Sequence, residues 1–260
     1  MNIENQNQEE EMAGTGKERT QVVLQPRDKE ALAMIYEQQF LTFDQYKNSF
    51  FKDAWPQQAR ARLLKLQRAG FVRKALSPAI GQAQVIKLTP IGAQMMNGLH
   101  WCHVPYNQRI EHGTAEHDKT VTDIRIRLKG WAPNPMWLAE RYLKAQKWGN
   151  HVPDGALSYQ VGDDRASVAI EYERFAKAQD SYRSILSFYE KKEHYTWALY
   201  VVPYQSLYNI LQKIFFERLS FMASRIALVH LRDLMNGYPP FQFKDEARQI
   251  FLPPKEKVTL

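Results

Sequence analysis

The sequence predicts an α/β (α+β) chain in two parts, a small helical N-terminal unit closed by a β-hairpin and a larger αβββαβ unit around a mixed central sheet. Three observations predict it. Between 26 and 96, short amphipathic helical patterns lead into two strand patterns and then a Thr-Pro helix start. Between 113 and 231, strand-length apolar or alternating runs are interleaved with helical periodicity. Within that second part, Ser167-Val-Ala-Ile-Glu-Tyr-Glu173 alternates, so Val168, Ile170 and Tyr172 share one face and Ala169, Glu171 and Glu173 the other.

Composition sets the outer limits. The 260 residues suffice for two small domains, and a hydrophobic fraction of 44% is ordinary for a globular chain. A formal charge of +7 favours a polyanionic partner. The single cysteine, Cys102, excludes an internal disulfide and fits a reducing cytoplasm. No apolar run reaches membrane-spanning length and the acidic start is unlike a signal peptide, so the expected location is cytoplasmic with no membrane partner. Residues 1–20, with Glu9, Glu10 and Glu11, have almost nothing to bury and are expected to be a disordered tail.

The first unit is assigned to 21–98. A helix over 26–38 carries Leu32, Ile35 and Tyr36 on its apolar face, and Thr42 caps a second over 43–51. Pro56 opens a third helix, stopped at Gly70. Its wheel turns Ala59, Leu63 and Leu66 inward and Gln57, Ala61, Lys65 and Arg68 outward, with Arg60 and Arg62 on the flanks. Segments 71–74 and 84–88 then read as a hairpin, and Thr89 caps a closing helix from Pro90. This order, with Leu66-Gln-Arg-Ala-Gly-Phe-Val72 and Leu88-Thr-Pro-Ile-Gly92, resembles a winged helix-turn-helix domain. The resemblance implies double-stranded DNA as partner. Gln57, Gln58, Arg60, Arg62, Lys65 and Arg68 would face the major groove, with Arg73, Lys74 and Lys87 of the wing near phosphate. A winged helix used for protein contacts is the alternative.

A linker over 99–112 carries Trp101, Cys102, His103 and Pro105; Cys102, His100 and His103 have no second pair at metal-ligand spacing, so packing is expected there. The second unit, 113–240, starts with a helix over 113–129 bearing Val121, Ile124 and Leu128, ended by Gly130. Strands are expected over 136–143, 152–159 and 167–173, then a helix from Asp180 to Lys191 with Tyr182, Ile185, Leu186 and Tyr189 inward. The run 195–202 reads as a buried central strand, followed by a helix over 206–222 and a last strand over 225–231. Residues 241–260 form a C-terminal extension.

Two carboxylates on one face of an apolar strand need an explanation, because a buried uncompensated charge is unfavourable. Asp154, at the Pro-Asp-Gly break before the preceding strand, brings a third, and three converging carboxylates suit a hard cation such as Mg²⁺. Pro153-Asp154 followed by Glu171-Tyr172-Glu173 resembles the PD-(D/E)XK nuclease superfamily, whose third motif position is usually Lys and is Glu173 here. The resemblance implies a PD-(D/E)XK-like domain in which Asp154, Glu171 and Glu173 are metal ligands. Lys177 would return a cation to the site, and Glu116 would be an upstream acid. Glu140 is the other candidate acid, with an ion pair to Arg141 or Arg125 as its alternative reading, and His117 would orient a phosphate or carboxylate.

Both halves together resemble the replication-relaxation family, on His117-Asp118, 137–140, Pro153-Asp154-Gly155, Glu171-Tyr172-Glu173 and the tyrosine-rich helix at 182–189. That resemblance covers about 26 to 231 and implies work on plasmid or other mobile DNA, in replication, mobilisation or relaxation. Other replication or mobilisation proteins and a second copy of the chain are the further candidate partners. Three functions stay open: a DNA-binding protein with a nuclease-like platform, an active Mg²⁺-dependent endonuclease, and a transcription regulator with a dimerisation or sensing domain.

Overall fold

A computed structural model describes residues 22–237, apart from 78, 79, 82, 101, 102, 107, 108, 112, 133, 162, 192–194 and 219–225. The expected tail, Cys102 and the C-terminal extension lie outside the described residues.

The N-terminal half begins with α1 (Pro26–Gln38), whose N1 proline is pre-set for a first helical turn, followed by the short strand β1 (Leu41–Thr42). Thr42 then caps α2 (Phe43–Phe50) in a reciprocal capping box with Gln45. Next come α3 (Pro56–Arg68), β2 (Val72–Ser77), β3 (Ala83–Leu88) and α4 (Pro90–Leu99), where the Thr89 hydroxyl accepts from the Gly92 N–H at 3.1 Å. The strands pair antiparallel in the order β1-β3-β2. This is the element order expected of a winged helix. Ala59, Leu63 and Leu66 bury the inner face of α3 against the other helices, as the wheel predicted.

The C-terminal half is a three-layer sandwich. Its elements are α5 (Ala115–Trp131), β4 (Met136–Ala139), α6 (Glu140–Ala145), β5 (Gly155–Val161), β6 (Asp164–Tyr172), α7 (Gln179–Lys191) and β7 (Trp197–Val202). After them come α8 (Gln205–Gln212), a π-helical turn (Lys213–Arg218), β8 (Ile226–His230) and α9 (Leu231–Met235). The sheet runs β4-β5-β6-β7-β8 in space. The first three strands form an antiparallel meander, and β6, β7 and β8 are parallel, each joined to the next through a helix. One sheet face packs on α7 and α8, the other on α5 and α9. β7, expected as the central strand, has neighbours on both edges, and its residues from Ala198 to Val202 are buried.

Several expectations change. The strand expected over 136–143 stops at Ala139, and 140–145 turn helical, because Glu-Arg-Tyr-Leu-Lys-Ala is rich in helix formers and Glu140 pairs with Lys144 one turn on. The first long helix runs through Gly130 to Trp131, its apolar contacts overriding the glycine. The strand expected from Val152 starts only at Gly155, since Pro153 has no N–H for a ladder. The helix expected over 206–222 changes at Lys213 into a π-helical turn, and its end lies outside the described residues.

Gly155 shows why the Pro-Asp-Gly break has its glycine. It pairs with Ala139 and Ile170, and a Cβ there would overlap the buried Trp137 ring on β4. Gly155→Ala should therefore lower stability by about 1–3 kcal/mol, the usual penalty for overpacking a filled core. Chemical denaturation measures it, and an unchanged midpoint would contradict the packing described.

Candidate active site

Register decides where the acids go. Gly155 pairs with Ile170, so Asp154, one residue earlier, stands at the end of the ladder beside Glu171. Its Oδ2 accepts from the Tyr172 N–H at 2.7 Å, so Asp154 completes the β6 edge where the backbone of β5 stops. Glu171 is 3% and Glu173 4% exposed, on the sheet face that packs against α7. Glu173 lies just past β6 and its N–H donates to the Val201 carbonyl at 3.0 Å.

These acids line one cleft of about 650 Å³ between the ends of β5 and β6, α5 and α6. Lys177 is brought there from the following loop, and Glu140, Asp118 and His117 from the helices. Glu116 is not: it is exposed on α5 and does not line the cleft, whereas Asp118 does. The reason is helical phase, since two residues along α5 turn a side chain to nearly the opposite side.

Asp118, Glu140, Asp154, Glu171 and Glu173 each already have a basic or hydroxyl partner. Glu171 Oε1 lies 2.5 Å from His151 Nε2 and also accepts from the Tyr189 hydroxyl. Glu173 accepts from the Lys177 ammonium, and Glu140 pairs with Lys144 at 2.5 Å rather than with Arg141 or Arg125. Asp154 Oδ2 lies 3.3 Å from His117 Nε2, and the other ring nitrogen is 3.4 Å from Asp118. Burial raises the Glu173 carboxyl above its ordinary range; Lys177 opposes this, while Glu171 and Asp154 add to it. Burial also raises Glu140 against Lys144, with Asp154 and Asp118 adding to the rise. Burial pushes the Tyr189 hydroxyl far up, with the Glu171 charge next, so it stays protonated and donates.

The three acids offer the hard oxygens Mg²⁺ prefers, but their arrangement does not fit a metal. Among the described residues no group of three or more His, Cys, Asp or Glu side chains is placed to hold an ion. The lone pairs are directed instead at His117, His151, Lys177, Tyr189 and the Tyr172 N–H.

His151 and Tyr189 were absent from the sequence reading as site residues. Tyr189 was expected to be inward on its helix, and nothing local marked it as a partner of Glu171. His151 had a weak signal, standing three residues before Asp154 in the segment that leads into β5.

The expected nucleic-acid face divides differently. Gln57, Gln58, Arg60, Lys65 and Arg68 are exposed on α3, and Arg73 and Lys74 on β2. Arg60 lies over the Phe43 ring at 5.1 Å. Arg62 is not part of that face, because it turns back onto the fully buried Asp28 and the Val23 carbonyl. Lys87 is also withdrawn: β3 is the middle strand of its sheet, and the side chain is 1% exposed. Burial, then the charges of Arg73 and Arg141, lower its ammonium to about 8.

No protein-family model matches the chain, and no curated protein does. Among solved structures it is similar to the restriction endonuclease FokI, bound to DNA and free, each with a TM-score of 0.31 and 10% identity. The superpositions cover 81% and 84% of this chain but 44% and 45% of those chains, so it spans less than half their length. At that level of likeness the fold rests on its own topology, described above.

His117 ties the pairing to pH. Burial alone would lower its imidazole, but hydrogen bonds and charges from Asp118 and Asp154 outweigh burial and carry it up to about 10. A raised folded value stabilises fully below the unfolded value, about 6.5, and the stabilisation fades as pH climbs through the folded one. The advantage of wild type over His117→Gln in urea denaturation should be largest at pH 6 and nearly gone at pH 10.5. A gap that is constant or grows with pH would refute the charged His117 bridge.

Proposed function

We propose that this chain is a DNA-binding protein that grips duplex DNA through α3 and carries a nuclease-like cleft in its C-terminal half. The observation that carries the reading is the division of α3. Ala59, Leu63 and Leu66 lock one face into the core, while Arg60, Lys65 and Arg68 stand in solvent with no ion pair among the described residues. A helix fixed from behind, with cations and two glutamines in front, suits the major groove, and Arg73 and Lys74 on the adjoining strand suit phosphate. The net charge of +7 agrees. In this reading 21–98 is the winged-helix domain, 99–112 the linker and 113–240 the nuclease-like domain. Plasmid or other mobile DNA, in replication, mobilisation or relaxation, is the finer assignment, supported by the resemblance of both halves in their order along the chain.

A second reading, a Mg²⁺-dependent DNA endonuclease, is favoured by one observation. Asp154, Glu171 and Glu173 stand at the ends of the second and third strands of the αβββαβ unit, with Lys177 supplying a cation where Glu173 replaces the usual lysine. It requires the carboxylates to exchange their present partners for a metal. Nicking of supercoiled plasmid with Mg²⁺ or Mn²⁺, lost in Asp154→Ala, would establish it. Intact plasmid with wild type and with Glu173→Lys would leave the DNA-binding reading alone.

Reversing Arg60, Lys65 and Arg68 to Glu should abolish duplex binding at unchanged melting temperature. Single neutralisations should each flatten the salt dependence by about one unit of log-log slope. Arg62→Ala should instead lower stability, by about 3 kcal/mol, because it strands the buried Asp28. A triple variant that binds duplex like wild type across a salt series would show that α3 is not the contact.

A further inference from the structure

In four of the five acid–base pairs of the cleft the basic partner is the more exposed; in the fifth, Asp118 is 27% exposed against 24% for His117. Side-chain exposures are 43% for Lys177 against 6% for Glu173, and 22% for His151 against 4% for Glu171. They are 60% for Lys144 against 30% for Glu140, and 24% for His117 against 15% for Asp154. The Glu171 and Glu173 carboxylates form the floor, and Lys177 and His151 cover them from the solvent side. Lys144 and Lys177, the most exposed of these partners, present donors to whatever enters, which suits an anion. Arg174 adds a guanidinium with no carboxylate partner among the described residues, and it lines the same cleft.

Beside it, Phe175 also lines the cleft and is 73% exposed, with the Arg174 guanidinium 5.6 Å from its ring centre. Burying so large an aromatic is favourable, and a ring left open at the mouth of a cleft offers its face to a partner that enters. One face of the ring is occupied by Arg174, which leaves the other for a flat group. The Arg174 guanidinium and the exposed Lys177 and Lys144 beside it favour a flat group tethered to negative charge. A nucleotide has both, and its base must be unpaired, because a base inside a duplex already has both faces stacked. At about 650 Å³ the cleft is within the range that holds a small ligand.

We infer that this cleft binds an unpaired nucleotide of a DNA strand, its base stacked on Phe175 and its phosphate held by Arg174, Lys177 and Lys144. The contact is separate from the duplex contact of α3 and does not depend on it.

The test uses the full chain in EDTA and a short single-stranded oligonucleotide carrying 2-aminopurine, whose fluorescence is quenched on stacking. Wild type should bind it and quench the probe. Phe175→Ala should lose the quench and weaken single-strand binding about tenfold, with melting temperature and duplex binding unchanged. Phe175→Trp should restore both signals, and Arg174→Gln with Lys177→Gln should weaken binding and steepness of salt dependence together. Equal quenching and affinity in wild type and Phe175→Ala would overturn the inference. So would duplex binding with no single-strand binding, which leaves the α3 reading intact. Single-strand binding retained in the Arg60, Lys65 and Arg68 reversal would uphold the inference even where that variant fails on duplex.

Discussion

Glu171 and Glu173 stand two residues apart on one face of β6, both nearly excluded from solvent, with Asp154 at the end of the neighbouring strand. Taking carboxylates out of water is unfavourable by several kcal/mol each unless partners replace the lost hydration. The surrounding elements meet that demand: α7 sends Tyr189, the segment before β5 sends His151, the loop after β6 returns Lys177, and α5 faces Asp154 with His117. The cleft exists because these groups converge on the carboxylates from different elements and leave space above them. It is also why Lys177 and His151 lie outside Glu173 and Glu171, since a partner delivered from the rim covers the acid from the solvent side.

The same logic operates at the seam between the halves. Glu37 of α1 is buried between Arg125 of α5, at 2.5 Å, and His100 at the end of α4, at 2.7 Å. Burial pushes its carboxyl up, but Arg125 and His100 outweigh it and hold it below the usual range. Nearby, Gln45 of α2 donates to the Lys119 carbonyl and to Asp123 at 2.9 and 2.8 Å, and Arg141 of α6 donates to the Tyr36 and Pro105 carbonyls. Beside apolar contacts, such as Ala115 against Phe40, Ile80 and Val85, the two halves are thus joined by polar contacts of fixed direction. Such contacts define a docking angle better than an apolar seam does, because each hydrogen bond tolerates little misalignment. The exposed face of α3 and the cleft are carried on one connected body.

Most elements were legible because local chemistry and final packing agreed. Pro26 and Pro56 start helices where proline is tolerated, Thr42 and Thr89 cap them, and the alternation in β6 survives as two faces in two different cores. Where they disagreed, packing prevailed. The segment after Ala139 could extend a strand in sequence, but β4 loses its partner where β5 begins at Gly155, and there the helix formers of 140–145 take over. Arg62 and Lys87 look like surface cations in sequence, since a periodicity cannot show that a buried Asp28 waits opposite one and that β3 is the middle strand for the other.

By itself, the sequence determined the order of elements, the face of α3 that carries most of its exposed charges, and the coincidence of Asp154, Glu171 and Glu173 at neighbouring ends of adjoining strands. These follow from periodicities of a few residues and from capping and proline rules that act within one turn. Only the tertiary structure decided what the acids do with their charge. Their partners come from as far as His117, His151 and Tyr189, placed by strand register and by the docking of α5 and α7 on opposite faces of the sheet. A carboxylate's chemistry depends on what lies within about 4 Å of it, a distance over which sequence separation carries no information.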